Sequence, residues 1–346
     1  MDIDTIIKRQ DEIAKGNAPA TQLPKYKKYA LCNLRGGIGK TTLSFNLSYL
    51  GDDVLAIDTC PQGNLSYFFD NQYYGNTSTS VKDLILPYLI PGLGKASRLS
   101  AFVGATNQFF HDKKTYYIPS SSDLYLIPAQ LITAINQARG LPSPHRDTAL
   151  KSILYSLRNE IDREMKDIGE VSKCLIDTSP FFAGGTQLAW HAADALIIPV
   201  RTDQQSINSL ELLIQTLTSS SGEFRKYLDD PDMHSPKIQL VILTHGGWST
   251  SAGARNKPNR QTEMYLKKVW DILSRSRTLL TADNPTEHLL LLDDFLGSGR
   301  ISSALSKPLE LLKHGESKYI DRVKVSVNNS VEKCQNQLRY INSIIW

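Results

Sequence analysis

The stretch that most restricts what this chain can become is Asn33 to Thr42, N-L-R-G-G-I-G-K-T-T. It follows the apolar run Tyr29-Ala30-Leu31-Cys32 and precedes the helix-like Leu43 to Leu50. A strand, a glycine loop and a helix start in that order aim successive backbone N–H groups at one point, where a polyphosphate sits in the positive end of the helix dipole. Gly36 and Gly37 let the backbone approach the phosphates, Gly39 opens the turn, and Ile38 and Thr42 complete the cradle. Lys40 reaches the outer phosphates, and the Thr41 hydroxyl is placed for Mg²⁺. The competing reading, a glycine-rich turn that binds nothing, does not account for G-G-x-G-K-T-T directly after a strand.

The loop departs from G-x-x-x-x-G-K-T at Leu34 and carries Arg35 immediately before the glycine pair. In this it resembles the deviant P-loop K-G-G-x-G-K-T of the ParA/MinD family, with Arg35 in the place of the signature lysine. The resemblance implies an α/β fold: a doubly wound, mostly parallel sheet flanked by helices, the P-loop NTPase fold with its deviant Walker A loop. It also implies ATP and Mg²⁺ as ligands, a homodimer formed on ATP, and Arg35 reaching the partner's phosphates. The segment Asp58-Thr59-Cys60-Pro61-Gln62-Gly63-Asn64 is similar to the family's D-x-D-P-Q-G-N, so Asp58 is expected in the catalytic set with Arg35 and Lys40, and in the metal shell. The acid that positions water for hydrolysis in the family is here Cys60, whose neutral thiol cannot reproduce a carboxylate's acceptor geometry. Lys173 to Asp177 reads as a strand ending in an acid. Alone, Asp-Thr-Ser-Pro would more often be a capped turn; after a matched P-loop, Asp177 is expected behind the metal together with Thr41. Thr244 stands where relatives read adenine, although Asn is commoner there.

Apolar runs alternate with longer amphipathic segments, the pattern of a helix-covered parallel sheet. The strands are expected at Tyr29 to Leu34, Val54 to Asp58, Leu124 to Pro128, Lys173 to Asp177, Ala195 to Val200, Gln239 to Thr244 and Leu289 to Leu292. Stretches 71–122 and 246–262 read as loop-rich decorations. The expected organisation is a short polar arm over 1–27, a ParA-like ATPase domain over 28–325, and a C-terminal helix over 326–346 packed on that domain. With 41% apolar and 21% charged residues, and neither a membrane-span-length apolar run nor a signal-peptide pattern, a cytoplasmic location is expected. Cys32, Cys60, Cys174 and Cys334 lack metal-ligand spacing and read as reduced thiols.

A net charge of +4 leaves nucleic-acid binding to local clusters. Between His245 and Leu280, seven cations (Arg255, Lys257, Arg260, Lys267, Lys268, Arg275 and Arg277) face two carboxylates, which reads either as a non-specific DNA surface or as a solvated helix face. The stripe Val331, Cys334, Leu338, Ile341, Ile345 has only Lys333 and Arg339 beside it, too few cations for an anionic-lipid anchor, so packing on the chain's core or a dimer partner is favoured over membrane. Two functions remain open. One is a ParA-like switch that dimerises on ATP/Mg²⁺, binds DNA or a ParB-like or other partner protein, and resets by slow hydrolysis as in plasmid or chromosome partition. The other is a nucleotide-sensing scaffold or regulator that does not turn over. A small-molecule kinase or synthetase on the same loop has no evident general-base set to support it.

Overall fold

The computed structural model describes residues 3–73, 79–95, 97–227, 233–249 and 256–346. Among these, eight strands form one sheet in the order β3-β4-β2-β5-β1-β6-β7-β8. They are β1 (Lys28–Leu31), β2 (Val54–Asp58), β3 (Ala101–Phe102), β4 (Tyr116–Ile118), β5 (Lys173–Asp177), β6 (Ala195–Arg201), β7 (Lys237–Thr244) and β8 (Leu289–Leu292). All neighbours run parallel except β3 with β4. A separate antiparallel hairpin pairs β9 (Ser317–Ile320) with β10 (Val323–Ser326).

The helices are α1 (Ile3–Lys15), α2 (Lys40–Gly51), α3 (Asn64–Phe69), α4 (Val81–Leu89), α5 (Ile127–Arg139), α6 (His145–Leu154), α7 (Ser156–Ile168), α8 (Gly185–Ala192), α9 (Gln204–Thr218), α10 (Arg260–Arg275), α11 (Leu296–Leu305) and α12 (Val331–Ile345). Because strand side chains alternate, Ala30 and Cys32 join one core layer with residues of α4 to α10, while Tyr29 and Leu31 join the other with α2, α11 and α12. Both faces of the central strands are therefore covered, which is why they read as unbroken apolar runs.

Two expectations fail. Leu124 to Pro128 is not a strand but a 3-10 turn (Ser122–Leu126) running into α5. Leu124 and Ile127 are buried while Tyr125 and Leu126 between them are each 59% exposed, a helical period, and Pro128 sits in the first turn where its missing N–H is harmless. The strand beside β2 is instead β4, inside the stretch read as decoration, so 71–122 supplies part of the main sheet. Three residues, Tyr116 to Ile118, are too short a run to stand out from polar flanks.

The two ends of the chain meet on the sheet. Val331, Leu338, Ile341 and Ile345 of α12 lie in the α2-side core, and Cys334 is buried. Gly51 makes room for the terminal ring: a Cβ there would stand 2.5 Å from Trp346. Helix α1 wraps the outer edge of β8, with Ile6 in one core layer and Ile13 in the other. There Gln10 behaves as a one-residue strand: its Nε2 donates to the Leu291 carbonyl at 2.9 Å and its Oε1 accepts the Leu291 N–H at 3.3 Å. Arg9 Nη2 donates to the carbonyls of Thr286 (2.8 Å) and Leu289 (2.6 Å). Gln10 is 1% exposed, so Gln10→Leu strands two backbone groups and is expected to lower unfolding free energy by ~1–3 kcal/mol, read from the urea midpoint; an unchanged midpoint refutes this account of the edge.

Candidate functional site

Strand β1 lies between β5 and β6, so the loop that leaves it emerges at the C-terminal rim of the sheet, where open α/β sheets hold ligands. The loop's root is fixed by Asn33, fully buried, whose Nδ2 donates to the Pro199 carbonyl (2.7 Å) and whose Oδ1 accepts the Ser209 hydroxyl (2.6 Å). Gly37 and Gly39 have φ of 69° and 93°, left-handed positions where other residues are strained. Lys40 donates to the carbonyls of Arg35 (2.8 Å) and Asn33 (3.3 Å), across the mouth of the loop. Burial lowers its pKa, opposed by the charge of Asp177.

Asp177 at the end of β5 accepts the Thr41 hydroxyl on one oxygen and the Ser44 hydroxyl on the other, both at 2.8 Å. Thr41 was expected here; Ser44 was not, though its place three residues on in α2 puts it on the same helix face. Gly36, Gly37, Ile38, Gly39, Lys40, Thr41 and Thr42 line a cavity of about 200 Å³ with Cys60, Gln62, Asn64, Thr178 and Pro180. Asp58 does not line it. Its carboxylate, 1% exposed, accepts the N–H of Cys60 (3.1 Å), the N–H of Ser66 (2.9 Å) and the Ser66 hydroxyl (2.8 Å), so it caps the β2–α3 loop. Asp58 and Asp177 face each other in the β2–β5 register, and burial raises both carboxyl pKa values, with Asp177 pushing Asp58 up further. The Cys60 thiol is pushed up to about 12 by burial and by Asp58, so it is neutral.

On the other side of the loop a second cavity, about 780 Å³, is lined by Thr42, Thr244, His245, Asp294, Leu296 and Arg300 among others. The Thr244 hydroxyl points at the Ile38 carbonyl (3.4 Å), which brings the end of β7 to the glycine loop. No role at the site was expected of Asp294, Leu296 or Arg300. The available signal was an acidic pair after a strand: Asp294 Oδ1 accepts the Leu296 N–H at 3.0 Å and turns Leu296 into a left-handed conformation, φ 45°.

Arg35 projects away from the loop onto the start of α9. Its Nη1 pairs with Asp203 Oδ1 and donates to the Ser206 hydroxyl at 2.8 Å. Of the basic cluster, Arg255 lies outside the described residues. Lys257 precedes α10, Arg277 follows it, and Arg260, Lys267, Lys268 and Arg275 sit on α10 within an arc of roughly 100°. Arg260 thus belongs to the helix and not to the loop around Trp248. Lys268 donates to Gln204 Oε1 of α9 (2.7 Å), and Arg275 stands 3.9 Å from Glu211.

A parallel sheet with a glycine loop after its central strand, and a strand-end carboxylate under that loop, defines a P-loop protein. A family profile described as an AAA domain matches residues 26–229, and the chain belongs to that family, among its ParA/MinD-type P-loop members. It is similar to the sporulation initiation inhibitor protein Soj of Bacillus subtilis, with 25% identity over 192 residues, 54% of this chain and 63% of Soj. The chromosome partitioning protein ParA of Caulobacter vibrioides is 28% identical over 221 residues, 62% of this chain and 68% of that protein. The virulence plasmid ParA family protein pGP5-D of Chlamydia trachomatis is 31% identical over 199 residues, 54% of this chain and 61% of that protein. The match to Soj thus spans under two thirds of Soj's length. Among solved structures, apo McdA of Cyanothece superposes with a TM-score of 0.54 at 18% identity, covering 82% of this chain and 91% of that one. A single-substitution variant of Cyanothece McdA in complex with ATP gives 0.51 at 21% identity, covering 82% and 88%. Both show the shared fold.

Ser44→Ala removes one of the two hydroxyls on Asp177. A hydrogen bond to an ionised carboxylate is stronger than one to its protonated form. With its pKa raised, the folded-state carboxyl is protonated in mild acid and ionised in mild base. The destabilisation by Ser44→Ala is therefore expected to be larger at pH 8, ~1.5–3 kcal/mol, than at pH 5. Equal losses at the two pH values in urea unfolding refute the assignment.

Proposed function

We propose that this chain is a ParA-like switch that binds ATP with Mg²⁺, pairs with a second copy when it does so, and in that state engages DNA or a partner protein. The observation that carries the reading is the convergence of Thr41 and Ser44 on Asp177 beside Lys40 and the left-handed glycines. The backbone donors of Gly37 to Thr42 bind the phosphates, and Lys40 gives up the Arg35 and Asn33 carbonyls to pair with the outer phosphates. Thr41 would hold Mg²⁺ with Asp177 behind it, a hard-oxygen donor set that fits this ion, which when bound offsets phosphate charge. Asp58 supports this set from behind by fixing the loop that carries Cys60. Thr244 and the residues of the second cavity accommodate the nucleoside. Arg35 reaches the partner's phosphates and ties nucleotide to pairing. Support also comes from the kinship with proteins named for chromosome partitioning and from a similar fold solved with ATP.

Light scattering on the full chain with saturating ATP and Mg²⁺ is expected to double the mass from 38.7 kDa, and Lys40→Ala to remain single. A wild-type mass that ignores nucleotide refutes the switch. For the DNA-binding arm, Lys267→Ala with Arg275→Ala is expected to flatten the log K against log salt slope by about two, one for each lost phosphate contact; an unchanged slope refutes that use of α10.

A second reading, a sensor that binds ATP without turning it over, is favoured by the neutral, buried thiol of Cys60 at the wall of the phosphate cavity. Cys60→Asp supplies a carboxylate there. Steady-state phosphate release about a hundredfold above wild type, roughly the low end of a general acid–base contribution, is the expected result if hydrolysis is limited at this position. Equal release by the two proteins refutes that role.

A further inference from the structure

We infer that Asp203 is a positioning residue: it holds Arg35 within its own chain and thereby sets how much protein is needed before ATP brings two copies together. This rests on the reading above, in which Arg35 crosses to the partner.

The two hydrogens of Arg35 Nη1 are both committed, one to Asp203 Oδ1 and one to the Ser206 hydroxyl. Asp203 is the N-cap of α9, its Oδ1 also accepting the Ser206 N–H at 2.9 Å, so the guanidinium is fastened to a helix terminus and not to a wandering side chain. The Arg35 and Asp203 side chains are 27% and 33% exposed, close to the surface yet shielded on most sides. A guanidinium has a fork of donors, and this geometry uses it on a carboxylate and a hydroxyl together, which a point-like ammonium does less well. A phosphate on a second chain must compete with that carboxylate. Any donors left over belong to a cation already neutralised and aimed at α9. The basic helix is bound into the same turn, since Gln204, the residue after Asp203, accepts from Lys268.

A pair about one-third exposed is worth a factor of about two to five per chain, and a dimer opens two of them, so the latch shifts dimer formation by about 4- to 25-fold in protein concentration. Asp203→Asn is the discriminating variant, because Asn caps a helix as well as Asp while removing the charge.

Sedimentation of the full chain across a protein dilution series with ATP and Mg²⁺ tests the latch. Asp203→Asn is expected to pair at roughly 4- to 25-fold lower concentration than wild type in low salt. The gap should narrow as salt is raised, a response that a purely structural cap would not give. Ser206→Ala is expected to shift pairing in the same direction by about fivefold, just over twofold for each of the two chains. Asp203 Oδ2 also stands 3.7 Å from Arg201 Nε, so the nucleotide-free melting temperature of Asp203→Asn should match wild type within the effect of two surface pairs. The inference is overturned if wild type pairs on ATP, Arg35→Ala does not, and Asp203→Asn needs as much protein as wild type. If Arg35→Ala pairs as readily as wild type, Arg35 does not cross and the latch has nothing to control. A wild type that never pairs overturns the switch itself, and the latch with it.

Discussion

A carboxylate buried at the end of a strand and facing another buried carboxylate is an unfavourable arrangement unless something compensates it, and Asp177 is compensated from the helix that follows the glycine loop. Two hydroxyls of α2, from Thr41 and Ser44, satisfy its two oxygens. The Asp177 backbone carbonyl takes the Thr59 hydroxyl from the neighbouring strand end at 2.7 Å, and the Thr178 hydroxyl next to it reaches the Leu31 carbonyl of β1 at 2.7 Å. Asp177 and its neighbour Thr178 thus tie β1, β2, β5 and α2 to a common point. The glycine loop spans from β1 to α2, so its shape follows from where those hydroxyls must be. Polar groups buried this deeply hold the rim in one geometry because any displacement leaves one of them unpaired.

The features legible in the sequence are those whose signal is local. The glycine loop, the acid at the end of Val54 to Asp58, and the apolar runs that became β2, β5, β6, β7 and β8 each state their conformation within a few residues. Leu124 to Pro128 misled because an apolar run of five is ambiguous in period, and only burial of Leu124 and Ile127 against exposure of the two residues between them resolves it. Strand β4 was hidden for the opposite reason, being too short to make a pattern and existing only because β2 offers it an edge. At the rim, Ser44 was one helix turn away from a recognised motif and still unread. Asp203, Leu296 and Arg300 reach the site from strands and helices remote in sequence, and no spacing rule connects them to the loop.

Asp58 illustrates how a motif can be right in place and different in duty. The residue stands where a strand-end acid was expected, yet its oxygens are spent on Cys60 and Ser66, and the cavity wall is formed by the residues it holds. The residue at position 60 is a buried thiol, neutral because burial and Asp58 push its pKa up. At Arg35 a permanent cation is folded back on α9 by an acid of its own chain.

The amide of Gln10 also has a bearing on how copies of this chain can associate. By occupying the N–H and carbonyl of Leu291, it removes the open ladder from which a foreign strand could be templated along β8. At the far margin the sheet tapers to β3, two residues long and reversed in direction, which offers little to zip against. With both flanks blunted, lateral growth into fibres by strand addition is discouraged.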